Sequence, residues 1–217
     1  MIYEFRRYTL RPGSRDTLIE LFERKFVESQ EDSGIEVVGQ FRDTDAPDVF
    51  SWLRAFPDMA DRAAALGDFY GGPVWKANRD AANATMIDSD DVLLLRPAGP
   101  RFPRSPRPPA GATARPSCLY VATIYHVEPG FPAFFAQRVA PLLAKAGVPP
   151  VACFESEHAA NTFPALPVRT GENVFVWFAR FERAQDEWEV DVPALSAHLT
   201  APAERMRLAP TARSALR

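Results

Sequence analysis

Cysteine and histidine are scarce in this chain, two and three among 217 residues. Cys118 and Cys153 cannot build a disulfide framework, and so low a number suits a reducing cytoplasm. His126, His158 and His198 fall at no i, i+3 or i+4 spacing, and neither HxH nor CxxC occurs, so no local metal motif is present. No apolar run reaches the roughly 18 residues that a membrane-spanning helix needs. No leader is expected either, because MIYEFRRYTL reads as a strand from its start. Charge of one sign is not gathered anywhere. The 25 basic and 28 acidic side chains leave a net −3, which argues against a nucleic-acid surface. GxSxG, Walker A and GxGxxG are missing as well.

What is present is a packed core and an excess of proline. Apolar residues make up 47% and aromatics 12%, the balance of a globular protein. Seven of the 21 prolines fall between Arg96 and Ser117, a stretch without periodicity that suits an extended spacer. It separates two halves of similar length, 1–96 and 118–217, with 97–117 as the linker.

The halves repeat one another. IYEFRRYTLRPG (2–13) lies over LYVATIYHVEPG (119–130), pairing Tyr3 with Tyr120, Tyr8 with Tyr125 and Pro12-Gly13 with Pro129-Gly130. VFSWLRAF (49–56) lies over VFVWFARF (174–181), and Phe41 over Phe154. Each half begins with an alternating strand (2–10; 119–127) that ends in a turn. A helix follows, carrying Leu18, Leu21, Phe22 and Phe26 at helical spacing behind Ser14 as cap and stopping at Gly34. Its counterpart carries Phe131, Phe134, Phe135, Val139 and Leu142 and stops at Gly147. Strands are expected over 36–42 and 49–56, and over 151–155 and 174–181. Asp58 then caps a short helix, Pro73 opens another helical stretch that closes over 80–84, and 91–96 is the last strand of the first half. The βαββαβ order is ferredoxin-like, α+β. A sheet with aromatics on both faces needs cover on both, so the two sheets are expected to pack together as an intrachain pseudo-dimeric α+β barrel.

The segment YEFRRYTLRPG, the following helix, GQF, the strand ending in an aromatic and Asp-Met-Ala-Asp-Arg resemble the NIPSNAP family. The likeness is strongest over 3–97 and returns in the tail LAPTARSALR. It implies the dimeric α+β barrel fold and two tandem copies, and it fixes no catalytic constellation. The mitochondrial and vesicle-trafficking associations of some eukaryotic relatives do not carry over to this chain, in which no transit peptide is expected.

Candidate site residues follow from strand alternation. Glu4, Arg6 and Tyr8 share one face of the first strand, and Tyr3, Phe5, Arg7 and Thr9 the other. Which face turns inward is open at this stage. Tyr8 and Tyr125 facing one cavity would donate hydrogen bonds, Arg6 would fix an acidic group, and Trp52, Arg54 and Trp177 would wall the site. The same residues serve equally as an ion pair and plain inter-sheet packing. Arg6 and Arg54 are matched by Thr123 and Ala179, so the first half is the one expected to bear ligand. His158 lies in a loop about a dozen residues longer than its counterpart, either as a base or as an exposed side chain. Trp75 and Arg79 mark a helix that is a lid or, preferably, a seam between the halves.

The expected activity is binding of a small aromatic or acidic molecule in the barrel. Turnover would be that of an isomerase, lyase or monooxygenase without cofactor, metal or assigned catalytic residue. A carrier or interaction module is the alternative, and haem held by His198 or His126 a second one. A small molecule is the expected partner, with further self-association of the chain allowed and nucleic acid and membrane not.

Overall fold

The computed structural model describes residues 1–103, 105–188 and 190–217; of the spacer, Arg104 lies outside the described residues. Eight strands close into one antiparallel barrel: β1 (Ile2–Leu10), β2 (Glu36–Asp43), β3 (Val49–Phe56), β4 (Met86–Pro97), β5 (Leu119–His126), β6 (Ala152–Ser156), β7 (Val174–Phe181) and β8 (Glu204–Pro210). Their order around the barrel is β1-β3-β2-β8-β5-β7-β6-β4. Each half supplies four neighbouring strands, and β2–β8 and β4–β6 join the two sheets along both edges. Closure leaves no free edge.

The duplication is visible in the register. Glu4 lies opposite Arg54 and Arg6 opposite Trp52; Val121 lies opposite Ala179 and Thr123 opposite Trp177. Both first strands end in a turn whose glycine takes a left-handed conformation, Gly13 at φ 77° and Gly130 at φ 92°, which a side chain there would strain. The next helix is interrupted alike in both halves. In the first, α1 (Arg15–Leu21) and α2 (Val27–Asp32) flank a π-helical turn, Phe22–Phe26; α3 (Met59–Gly71) and α4 (Pro73–Asn83) come later. In the second, α5 (Phe131–Phe134) and α6 (Ala140–Lys145) flank Phe135–Val139. The wide turn lets a phenylalanine reach the sheet, Phe22 against Trp52 (centroids 4.8 Å) and Phe135 against Trp177 (5.9 Å).

The face left open by the sequence is settled by burial. Tyr3, Phe5, Leu53, Tyr120, Phe154 and Phe178 form one cluster inside the barrel, which side chains fill. The opposite face, with Tyr8 and Trp52, packs under the helices of the first half, and Tyr125 and Trp177 under those of the second. The spacer does not hang free. Phe102 packs on Tyr120, Phe154 and Phe178 at one end of the barrel, and Arg107 donates to the carbonyls of Val37 and Arg213. The other end carries a charged network in which Arg7 and Arg169 both pair with Asp91 and Glu204.

Three expectations change. Ser14 stands at the helix start but its side chain makes no capping bond, whereas Asp58 accepts from the amides of Ala60 and Asp61, both at 2.8 Å. β4 begins at Met86, five residues earlier than its apolar pattern, because backbone pairing with β1 through two register shifts carries the exposed segment MIDSDD. Among the described residues no α-helix follows β7 in the second half. Short 3-10 turns, Ala184–Asp186 and Pro193–His198, take its place, since prolines interrupt the sequence there.

Candidate functional site

A cavity of about 100 Å³ lies between the first sheet and its helices, outside the barrel lumen. Its walls are mostly aromatic: Phe22, Phe26, Trp52, Phe69, Tyr70 and Trp75. Arg6 is the charged side chain on the wall, beside Tyr8. The placement follows from strand alternation, which sends residues 4, 6 and 8 of β1 and 52, 54 and 56 of β3 to one face.

Behind the wall sits an unusual ion cluster. Glu4 is fully buried and faces three guanidinium groups. Arg6 Nη1 donates to its Oε2 at 2.6 Å, Arg54 Nε to Oε2 at 2.7 Å and Arg62 Nε to Oε1 at 2.6 Å. Arg54 Nη2 also stands 2.7 Å from Oε2, but it is not aligned to donate. Three positive charges on one carboxylate leave an excess of +2 in a dry site. Burial opposes the charge on Glu4, yet Arg54, Arg6 and Arg62 hold its carboxyl well below the usual range. Burial raises the Tyr8 phenol above its ordinary value against the field of Arg6, so it remains a neutral donor. Arg6 Nε donates to the Tyr8 oxygen at 2.9 Å, which leaves the Tyr8 proton to point elsewhere. The third arm, Arg6 Nη2, reaches only the Ser89 carbonyl at 3.4 Å. Aromatic faces shield the cations, with Arg6 5.7 Å and Arg54 5.1 Å from the Trp52 ring centre. Trp52 itself keeps a buried indole N–H that finds no hydrogen-bond partner among the described residues.

The cover comes from two sources. Helix α4 packs against α3 and brings Trp75 to Tyr70 (4.8 Å) and Phe26 (5.5 Å), so it lies over the cavity, which Leu166 of the second half also borders. Arg79 points away from the cavity, exposed and paired with Asp80. The long loop after β6 crosses from the second half. Phe163 stacks on Tyr70 at 6.0 Å, Leu166 lines the cavity, and Asn161 Oδ1 accepts from Arg62 Nη1 at 3.0 Å.

The structure brings together Glu4, Arg6, Tyr8, Trp52, Arg54 and Trp75; Arg6, Tyr8, Trp52 and Trp75 line the cavity, whereas Glu4 and Arg54, the latter expected on its wall, lie behind it. Tyr125 and Trp177 lie apart, in the corresponding layer of the second half, so the two tyrosines face two cavities and not a common one. The candidate residues thus lie in the sheet–helix layers and not in the barrel lumen, where they were expected. His158 is exposed, 3.3 Å from Asn173, and does not line the cavity. His198 lies in a 3-10 turn with its ring against Phe134, and His126 Nε2 meets Glu204 at 3.2 Å. Neither lines either layer's cavity.

Arg62 escaped the reading of the sequence, although a signal existed. It occupies the first place of the stripe Arg62, Ala65, Leu66, Phe69 that α3 buries, where an arginine is out of character. Gln30 is similar; it faces the sheet from α2 and accepts from Arg54 Nη1 at 3.2 Å.

Among the described residues no group of three or more His, Cys, Asp or Glu side chains is placed to hold a metal, and no helix is long and apolar enough to cross a membrane. Residues 3–100 match the family model for NIPSNAP. Three solved structures share the fold over nearly the whole chain. A candidate monooxygenase from Fusobacterium nucleatum has 9% identity and a TM-score of 0.61, covering 97% of this chain and 92% of its own. A candidate monooxygenase from Lactobacillus acidophilus has 10% identity, a TM-score of 0.57 and coverage of 98% and 97%. An anthrone oxidase-like protein has 12% identity, a TM-score of 0.57 and coverage of 99% and 93%. No curated protein matches the chain.

Proposed function

We propose that the NIPSNAP-like first half binds a small aromatic anion, a phenolate or aromatic carboxylate, between sheet and helices, and that the reaction carried out there is oxygenation by dioxygen. The observation that carries the reading is the +2 excess around Glu4, with Arg6 as its outlet on an aromatic wall. An anion entering the cavity completes the charge balance and gives Arg6 Nη2 a better partner than Ser89. Tyr8 and the free indole N–H of Trp52 supply two further donors beside it.

The same field favours the ionised form of a bound phenol. An electron-rich phenolate in the pocket passes an electron to dioxygen; oxygen then bonds at a ring C–H, and loss of water gives the quinone, so that one oxygen atom stays in the product, the other leaves as water, and the substrate supplies all four electrons that a cofactor would share elsewhere. The neighbours described as monooxygenases and as anthrone oxidase-like support this class of reaction by fold alone. The ligand is the partner that the site requires; the barrel closes within one chain and needs no second copy. Two free, buried cysteines suit a cytoplasmic setting.

The test is titration of tryptophan fluorescence with salicylate, followed by oxygen uptake with 1-naphthol, whose oxygenation to the 1,4-quinone keeps one atom of dioxygen and releases the other as water. Arg6→Met removes one charge from an over-charged cluster and so is expected to fold. It should weaken salicylate binding at least tenfold and abolish enzyme-dependent oxygen uptake. Binding without uptake would leave a carrier. Equal salicylate binding by wild type and Arg6→Met would overturn the site.

A further inference from the structure

A second cavity of about 170 Å³ occupies the corresponding layer of the other half, and the register maps the two wall by wall. Thr123 stands where the first half has Arg6, Val121 replaces Glu4, and Ala179 replaces Arg54. Tyr125 and Trp177 keep the places of Tyr8 and Trp52. Arg62 has no counterpart, because the segment that would carry the equivalent helix holds 3-10 turns. Among the described residues the second half thus lacks the ion cluster and shares the aromatic frame.

What remains is a cavity for an uncharged guest. Val121, Leu143, Val148, Ala179 and Val192 make its floor and sides, and Trp188, half exposed, lies at its edge near Phe181. The one cation on the lining, Arg205, is bound to Glu187 and brings no free charge. The uncharged polar groups of the lining include the Thr123 and Tyr125 hydroxyls and the Trp177 indole. Trp177 is 93% buried, lines the cavity, and its indole N–H finds no hydrogen-bond partner among the described residues. Trp52 shows the same vacancy at the equivalent position. Nine buried side-chain atoms lack a partner among the described residues, and of these the Trp52 and Trp177 indoles are the pair at positions related by the duplication. The cavity is also large enough. Engineered apolar cavities of roughly 150 Å³ take up benzene and exclude water.

We propose that the second half holds a separate site for a neutral, single-ring aromatic molecule with one hydrogen-bond acceptor, held through the Trp177 indole N–H and selected against anions by Val121, Thr123 and Ala179. This site is independent of the first-half reading, because the two cavities lie on different parts of the barrel and differ in charge.

The test uses the intact chain labelled with 15N-tryptophan, whose four indole signals are assigned with Trp177→Phe and Trp52→Phe. Acetophenone is the neutral probe and benzoate the anionic one. Acetophenone should move the Trp177 indole signal downfield in a saturable way and leave that of Trp52 in place. Ala179→Leu, which fills the cavity, should weaken that titration at least tenfold. A Trp177 signal that stays still up to the solubility limit of acetophenone would overturn the site without any variant. So would a titration unchanged by Ala179→Leu. Benzoate acting on Trp52 reports the first cavity separately, so failure of one site does not mask the other.

Discussion

Arg62 on α3 donates its Nε–H to Glu4 Oε1 on β1 at 2.6 Å, an ion pair that spans 58 residues and is closed to water at both ends. It fastens the helix layer to the sheet behind the first cavity. Arg6 and Arg54 converge on the other oxygen of the same carboxylate, so one side chain organises all three arginines. A cluster of this kind is poor value as stability, since desolvating four charges offsets most of their attraction. The first half has this cluster, and the corresponding positions of the second half hold Val121, Thr123 and Ala179.

Glu4→Gln tests that organisation. The variant leaves three guanidinium groups buried without a counter-charge, and loss of one partner from a buried pair typically costs about 3–5 kcal/mol. Urea unfolding at pH 7 should show a loss of that order. Adding Arg54→Met should restore part of it by lowering the uncompensated charge. Additive losses in the double variant would mean that the two residues do not share a cluster.

The acid limb of stability should trace to the same carboxylate. Glu4 is held below its ordinary value of 4.5 in the folded protein, so its contribution is complete above that value. The unfolded chain takes up the proton first as pH falls, and the contribution drains away below about 4.5. The gap in unfolding free energy between wild type and Glu4→Gln should thus be constant from pH 7 to 5.5 and narrow from 4.5 to 3. A gap that widens on acidification would reverse the assignment.

The duplication and the barrel were legible because paired aromatics and turn glycines repeat in order, and period-2 alternation marks strands reliably. The inward face was not, since Tyr3-Phe5 and Tyr8-Trp52 are equally apolar and only closure decides which set meets its twin. That is why Tyr8 and Tyr125 were assigned to one cavity. Arg6, Tyr8, Trp52 and Arg54 were found because they share two short strands. Arg62 and Leu166 were not, because they arrive from a distant helix and from a loop of the other half, contacts that no local spacing encodes. The missing second helix was obscured by the repeat itself, which invites a copy where prolines forbid one.

Gly39→Ala probes how tightly the lumen is filled. A Cβ at Gly39 would stand 2.9 Å from Phe41 Cζ and 3.0 Å from Leu216 Cδ1. The Phe41 ring is fully buried within the barrel cluster and cannot yield. Overpacking of this sort costs about 1–3 kcal/mol, and urea unfolding should show it. A loss below about 0.5 kcal/mol would mean that the tail carrying Leu216 simply moves aside.

The last prediction concerns the loop that crosses between the halves. It is tied to β4 at both ends, where the amides of Glu157 and Arg169 donate to the carbonyls of Leu94 and Val92, each at 2.8 Å. In between, Thr162 donates to the Met59 carbonyl at 2.9 Å and Asn161 Nδ2 to the Leu166 carbonyl at 2.8 Å. This scaffold sets Leu166 against the cavity and Phe163 against Tyr70. The free space beneath, about 100 Å³, is smaller than the roughly 150 Å³ that holds benzene, so a guest must displace part of its cover on entry and be retained by it afterwards. Both side chains are only partly buried, so Phe163→Ala with Leu166→Ala should cost little stability. The cover acts mainly on departure, and changes at a binding surface appear chiefly in the off-rate. Stopped-flow fluorescence with salicylate should therefore show dissociation faster by about five- to tenfold, with the Trp177 response to acetophenone unchanged. An unchanged off-rate would assign the cover to α4 alone, and Trp75→Ala would then carry the whole effect.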